Sequence, residues 1–320
     1  MKSGTRKGVL KISIVLLFCL MLCMSLFGCV RPLKTKDEFF EEGYFSFVKV
    51  NKDSKAIEDS DVRSYFDKKQ AIMLLDLTEE GKEQTVIDVP ETVNGLPVIS
   101  ISPKYRTTLG HTYMFDDNYG RFSSDKLEKI YINGSVREFG ISAWSPVKCK
   151  NLSRIIINNQ LAPLEESFVI TSPELIVAIN QNCSDDILYG LIRFPHEVHE
   201  YTFIHTANIE YKYNYDTGTA QENYRIDLIK DKTETPYEFA DPYREGYTFG
   251  GWYLEPECIN EWYRSIDSLL DEESGDIEFY TERNIFDDMP TTELPKKEEY
   301  KNYINKTDKI LRLYAKWIED

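Results

Sequence analysis

The histidines are the first residues whose spacing could carry chemistry. His196, Glu197, Val198 and His199 run together, with His205 six residues further on. Imidazoles two or three residues apart on a turn can share a metal ion. The zinc-protease arrangement, however, is His-Glu-x-x-His, which sets both rings on one face of a helix. Here the second histidine comes one residue early, and Phe194, Pro195, Tyr201 and Phe203 around it favour strand and turn. Partly exposed histidines without a metal are the expectation. Asp216-Thr217-Gly218-Thr219 has the letters of an aspartic-protease loop, in which two carboxylates share one proton. Only one such loop is present, so a second copy of the chain would have to supply the other carboxylate. A hairpin turn with ordinary Asp/Gly chemistry accounts for the same letters. The acidic clusters Asp116-Asp117 and Asp271-Glu272-Glu273 with Asp276 lack the alternating oxygen ligands and closing glutamate of a calcium loop. They read as solvated charge. No glycine-rich phosphate loop and no nucleophile elbow is visible. These residue types predict a protein that is not an enzyme and uses no cofactor.

The thiols divide into two groups. Cys149, Cys183 and Cys258 cannot all pair within one chain. Cys149 and Cys183 could be bridged in an oxidising compartment, or all three could be inert, buried thiols. No Cys-x-x-Cys spacing supports a zinc or redox centre. Cys29 is different, because of what precedes it. Lys2, Arg6, Lys7 and Lys11 form a basic head without acidic residues, and an apolar run from Ile12 to Phe27 follows, broken only by Ser13 and Ser25. That order suits an export signal, whose positive end stays at the anionic cytoplasmic face while the apolar part enters the bilayer. The run ends in Leu26-Phe27-Gly28-Cys29, which resembles the box of a bacterial lipoprotein signal.

That resemblance implies cleavage before Cys29 and a thioether from its sulfur to diacylglycerol, with palmitate-type acyl chains. Residues 1–28 would be the signal peptide. Phe27 is bulkier than the residue usual there. On the residues alone, a plain transmembrane anchor is the alternative, since the run is nearly long enough to span. Each buried methylene contributes about 0.8 kcal/mol and one acyl chain holds only marginally, so two or more chains on Cys29 would anchor the body durably. The expected location is the cell envelope, on the outer face of the cell membrane and exposed to the surroundings.

Charge narrows the partners. The chain of 320 residues carries a formal net charge of −16, and removing the four positive charges of the leader takes it to −20. So acidic a body is a poor fit to nucleic acid, which is bound by neutralising phosphates. It would also stand off an anionic bilayer and leave attachment to the lipid on Cys29. Net charge equally serves solubility alone. Apolar content of 42% and aromatic content of 13% suffice for packed cores. The 21 tyrosines suit strands and contact surfaces alike.

The elements that would carry such surfaces read as follows. Residues 29–42 are polar and without period, as in a tether. Tyr44 to Val50 reads as a strand. Ala71–Leu77 and Thr85–Val89 read as two strands joined by the turn-like Glu79-Glu80-Gly81-Lys82. Three segments then repeat: Leu127-Glu128-Lys129-Ile130-Tyr131-Ile132, Leu152-Ser153-Arg154-Ile155-Ile156-Ile157 and Leu175-Ile176-Val177-Ala178-Ile179. Their leading leucines are 25 and 23 residues apart, a period that marks leucine-rich solenoids. In such arrays each unit gives one short strand, whose inward side chains only the next unit can bury. Val89-Pro90-Glu91-Thr92-Val93-Asn94-Gly95-Leu96-Pro97-Val98-Ile99-Ser100-Ile101 resembles the opening of the surface leucine-rich repeats of treponemal and Bacteroides adhesins. Val136, Phe139 and Ala143-Trp144 follow in the corresponding places of a second unit. An insertion over 102–126 interrupts the pattern, and the third and fourth units lack its Ala-Phe step.

Further on, Ile209, Tyr211, Tyr213 and Tyr215 alternate at period two. A turn at Asp216-Thr217-Gly218 leads to a second strand around Tyr224–Ile229. Ala240-Asp241-Pro242-Tyr243-Arg244-Glu245-Gly246-Tyr247-Thr248-Phe249-Gly250-Gly251-Trp252-Tyr253 and Leu311-Arg312-Leu313-Tyr314-Ala315-Lys316-Trp317 follow. Together these resemble the Listeria–Bacteroides repeat, or internalin B-repeat, a small β-grasp domain of cell-envelope proteins. In it Tyr247, Phe249, Trp252, Tyr314 and Trp317 would supply core surface. An acidic insertion near 265–306 departs from the family's short loop.

The expected fold is mainly β (α+β): a short, irregular leucine-rich-repeat solenoid over 43–205, then a β-grasp domain over 206–320. The resemblances imply a lipid-anchored surface protein that binds a host or neighbouring-cell protein or glycan. The alternative is a structural stalk or envelope-assembly component without a specific ligand. Ligand-binding residues and oligomeric state are not legible at this level.

Overall fold

Three β-sheets hold the sixteen strands found among the described residues. The computed structural model describes residues 38–51, 70–101, 124–132, 134–136, 138–139, 149–158, 175–183, 202–219, 221–277, 301–302 and 304–320. Cys29 and the leader, His196, His199 and Asp116-Asp117 lie outside them, as do most of the two insertions. One compact unit runs from Asp37 to Asp320, and every contact below falls within it. Among the described residues no helix is long and apolar enough to cross a membrane.

The first sheet begins with β1 (Glu38–Glu42), β2 (Phe45–Val50) and β3 (Ala71–Leu77), paired antiparallel. The end of the expected tether is therefore a strand. Its Phe40 packs on Phe47, with ring centroids 5.5 Å apart, which gives the polar stretch an apolar hold on β2. β3 reads Ala-Ile-Met-Leu-Leu-Asp-Leu because it is covered on both faces. Ile72, Leu74 and Leu77 join the large core, while Ala71, Met73 and Leu75 join a smaller cluster with Val48 and Val50. A strand buried on both sides loses its polar alternation. β6 (Leu96–Ile101) lies parallel to β3, with β5 (Thr92–Val93) folded against it. Asn94 and Gly95, both at positive φ (52° and 74°), close that two-residue hairpin.

After β3 the chain makes a single helical turn, α1 (Glu79–Lys82), whose Thr78 hydroxyl accepts the Gly81 N–H at 3.1 Å. Gly81 must lack a side chain: a Cβ there would stand 2.2 Å from the Tyr44 carbonyl oxygen. The strand beyond this turn, β4 (Val86–Asp88), enters a different sheet. The two strands read as neighbours across a short loop are therefore not paired.

The second sheet is parallel throughout. β4 is followed by β7 (Lys129–Ile132), β9 (Arg154–Ile157), β10 (Leu175–Ile179) and β11 (Thr202–Thr206), each beside its predecessor. The two-residue β8 (Glu138–Phe139), between β7 and β9 in the chain, pairs with β6 instead. Register explains the recurring isoleucines. Ile87, Ile130, Ile155, Val177 and Ile204 stand side by side across the strands, and all belong to the large core. The alternate positions, Asp88, Tyr131, Ile156, Ala178 and His205, form a second row on the other face.

The third sheet covers that face. It comprises β12 (Ile209–Lys212), β13 (Asn223–Asp227), β14 (Tyr247–Tyr253) and a strand over Leu311–Glu319, in the order β13, β12, Leu311–Glu319, β14. The last strand runs parallel to β12 and antiparallel to β14. Tyr213 and Tyr215, expected in β12, lie beyond its end, since Asn214 takes a positive φ of 57°. Tyr131, Ile156, Ile176 and Ala178 of the second sheet share one core with Ile209, Tyr211, Ile226, Leu311 and Leu313 of the third. Before the chain reaches its final strand it returns to the second sheet. There β15 (Ile304–Asn305), at the end of the acidic insertion, pairs parallel with β11. The strand over Leu311–Glu319 is accordingly β16.

Candidate binding surfaces

The covered face of the parallel sheet carries charge. Lys129 and Arg154, in neighbouring strands, would be solvated on a bare sheet, but the third sheet closes over them. Asp227, the last residue of β13, is 0% exposed. Its carboxylate accepts the Tyr131 hydroxyl at 2.7 Å, the Leu228 N–H at 2.7 Å and the Tyr237 N–H at 3.0 Å. The Lys129 ammonium stands 3.6 Å away. Arg154 meets Glu234 at 2.5 Å and donates to the Leu228 carbonyl at 3.1 Å. Arg225 faces Asp88 at 3.5 Å. Burial draws the Lys129 pKa down, with Asp227 opposing it, and pushes Asp88 up, with Arg225 opposing. Burial and the neighbouring Asp227 raise the Tyr131 hydroxyl well above its ordinary value, so it remains a donor. Opposite charges face each other in pairs between the two sheets, with the pair of Asp227 and Lys129 the most deeply buried, an arrangement that suits a lock between sheets.

A different surface is open. Gly246, at φ 74°, turns the chain so that Arg244 and Tyr247 bridge. The Arg244 guanidinium lies 3.7 Å from the Tyr247 ring centroid, 4.5 Å from that of Tyr215 and 5.8 Å from that of Trp317. Tyr215 meets Trp317 edge-on at 5.5 Å, and Phe249 meets it at 6.0 Å. The Trp317 indole N–H donates to the Tyr213 carbonyl at 2.6 Å, which fixes the ring. Arg244, Tyr215, Tyr247, Phe249 and Trp317 are all half-buried. Beside them Tyr243 is 81% exposed and Ile318 51%. Arg244 has no carboxylate partner among the described residues. A guanidinium stacked between rings keeps its N–H edges for a ligand's acceptors, and the rings offer flat apolar area. The arrangement can bind.

Of the aromatic residues expected in the terminal core, only Trp252 packs on the buried cluster. Tyr247, Phe249 and Trp317 make the open patch instead. The same residue types serve core and contact surface, so the sequence alone did not separate the two uses. Arg244 gave no warning at all beyond lying within the glycine-aromatic motif.

The other candidates resolve plainly. His205 is 4% exposed in β11, with its Nε2 3.4 Å from the Asn305 amide of β15. Burial, and secondarily Lys230, lowers its pKa to about 4. It therefore sits within the sheet, packed beside β15. Asp216 closes the turn after β12 by accepting the Gly218 N–H at 2.8 Å. Asp271 accepts the Glu273 and Ser274 N–H groups at 3.0 and 2.8 Å, while Asp276 pairs with Lys232 at 2.7 Å. No group of metal-ligating side chains is assembled among the described residues. Cys149, Cys183 and Cys258 form no disulfide with one another, the first two are buried, and burial pushes the Cys149 pKa up to about 12.

Comparison with known proteins adds one assignment. The family model of the Listeria-Bacteroides repeat domain matches residues 208–281. The match spans β12, β13 and β14 and ends before β15 and β16. No curated protein and no solved structure gives a significant match to the chain.

Proposed function

We propose that this protein is a lipid-anchored binding protein of the cell surface, without catalytic activity, that recognises an extracellular protein or glycan through the Arg244 patch. The observation that carries this reading is the unpaired guanidinium held between Tyr247 and Tyr215 at the open end of the terminal sheet. Arginine and large aromatic residues together are the side chains that most often dominate binding energy. Listeria-Bacteroides repeat domains occur in surface proteins, which is compatible with adhesion. The in-register parallel strands at a spacing in the twenties support a leucine-rich-repeat scaffold. Its outer face is filled by the terminal sheet, so the scaffold positions the reader and does not itself read. Cys29 is the proposed lipid attachment, with Cys29→Ala releasing the protein from membranes.

The test is binding of the chain to arrayed extracellular matrix proteins and glycans, with Arg244→Ala and Arg244→Lys beside the parent. A central hot-spot residue costs about 2 kcal/mol or more on truncation, so Arg244→Ala should weaken the interaction about thirtyfold. Arg244→Lys keeps the charge but loses the planar fork, and should fall between. Saturable binding that ignores both substitutions would remove the patch from the proposal. Absence of any saturable ligand would favour the stalk, a reading that the shared core between the second and third sheets supports.

A further inference from the structure

The chain carries 54 acidic side chains against 38 basic ones, so a cation has many carboxylates to meet. Among the described residues Arg154, Arg225, Arg264 and Arg312 each meet one. Arg244 does not, although carboxylates stand close. Glu245 follows it in the chain, and Glu319 lies directly opposite Tyr247 in the ladder between β14 and β16, with its side chain on the same face of the sheet. Both glutamates are exposed. The guanidinium lies instead on the rings of Tyr247 and Tyr215, 3.7 and 4.5 Å from their centroids. Tyr243, one residue earlier, is 81% exposed and offers a ring face to solvent. Exposed acceptors thus border one planar cation and flat apolar rings.

We propose that the Arg244 patch takes an acidic sugar of a glycan: a pyranose ring bearing one carboxylate. The inference rests on the reading of that patch as the binding surface and names its ligand class. A carboxylate fits the edge of the guanidinium through two parallel N–H bonds. The electron-rich face of Tyr243 receives the C–H face of the sugar ring. Hydroxyl groups can turn their protons toward Glu245 and Glu319. The fixed amides of an acidic peptide would set carbonyl oxygens against those carboxylates as often as they offered N–H groups. A single charge is selected from the other side. A body of net charge −16, with two exposed carboxylates beside the cation, repels a polyanion.

The experiment uses the full chain in non-ionic detergent, isotope-labelled in its tryptophans, and follows the indole resonance of Trp317, whose N–H is fixed on the Tyr213 carbonyl. Methyl glucuronoside should shift that resonance saturably. Methyl glucoside, the same ring without the carboxylate, should bind about tenfold more weakly, because it leaves the guanidinium edge unmatched. Arg244→Gln should bring the two sugars to equal affinity. Tyr243→Ala, at an exposed position, should weaken both alike and keep their ratio. That ratio in the parent chain and the Tyr243 variant carry the test should Arg244→Gln disturb the fold. A blocked Gly-Glu-Gly peptide and a heparin tetrasaccharide should each bind about tenfold more weakly than the glucuronoside. Equal binding of the two sugars by the parent chain, or a ratio that survives Arg244→Gln, would overturn the inference. A peptide that binds as well as the glucuronoside would overturn the choice of a sugar, and heparin that binds more tightly would overturn the single charge. Neither sugar moving the resonance, while a matrix protein still binds in an Arg244-dependent way, would overturn this inference alone and leave the patch standing. No saturable ligand at the patch in either experiment would overturn both.

Discussion

Asp227 is where the second and third sheets are most exposed to a single substitution. Asp227→Ala removes the acceptor of the Tyr131 hydroxyl and of the Leu228 and Tyr237 N–H groups. It also leaves the Lys129 ammonium, 7% exposed, without its nearest counter-charge. Removing one partner of a buried ion pair costs about 3–5 kcal/mol, and each stranded buried donor about 1–3 kcal/mol. These costs overlap, because Lys129, whose pKa burial already lowers, can shed its proton. We therefore expect a loss of about 5 kcal/mol, a large share of the ~5–15 kcal/mol that holds a domain folded. Tyr131→Phe removes one donor and leaves Asp227 with two amides and Lys129, so about 2 kcal/mol should be lost. Urea unfolding, followed by tryptophan fluorescence and far-ultraviolet circular dichroism, measures both. Trp252, Trp262 and Trp317 lie in the third sheet or its loops, so once the fourth tryptophan is removed by Trp144→Phe, fluorescence reports that part while dichroism reports all three sheets. Sheets that share a core should melt together, with coincident curves in the parent chain. A fluorescence transition well before the dichroism transition would refute the shared core. An Asp227→Ala loss below about 1 kcal/mol would refute the account of the lock.

Two further outcomes follow from the edge between β11 and β15. His205 titrates near 4 in the fold and near 6.5 in an unfolded chain, so between those values the unfolded chain takes up a proton that the folded one refuses. Stability must fall as pH drops from 6.5 toward 4, by about 3 kcal/mol. Urea midpoints should show that loss for the parent and a smaller one for His205→Gln. Cutting the chain after residue 205 should not release a folded first half, because it deletes both β15 and the sheet that covers Tyr131, Ile156 and Ala178. The fragment should aggregate or bind a hydrophobic dye; a soluble fragment with cooperative unfolding would contradict this.

Much of the architecture was legible where one residue pattern serves one purpose. The Leu-x-x-Ile segments gave β7, β9 and β10, because a parallel stack repeats the same buried row. The run Ala71–Leu77 gave β3. The residues around Gly246 and Trp252 gave the terminal sheet, and Asp216-Thr217-Gly218 its hairpin turn. What escaped notice depends on partners distant in the chain. Lys129 and Arg154 interrupt otherwise apolar strands, a sign that something charged must cover them, yet nothing local points to Asp227 or Glu234. β1 looked like linker because its strand character rests on Phe40 meeting Phe47. β15 has two residues, too few for any period to show. Arg244 escaped because cation and rings meet across a turn and two strands.

The return of the chain to add β15 sets an order of events during synthesis. The outer edge of β11 exists once residue 206 has emerged, but Ile304 and Asn305, which pair with it, emerge about a hundred residues later. At roughly 5–20 residues per second on the ribosome, that edge and the apolar face beside it stand open for roughly 5–20 seconds. A neighbouring nascent chain could add itself there in the meantime. Faithful production of this protein therefore depends on keeping young copies apart, or unfolded, until the last strands have arrived.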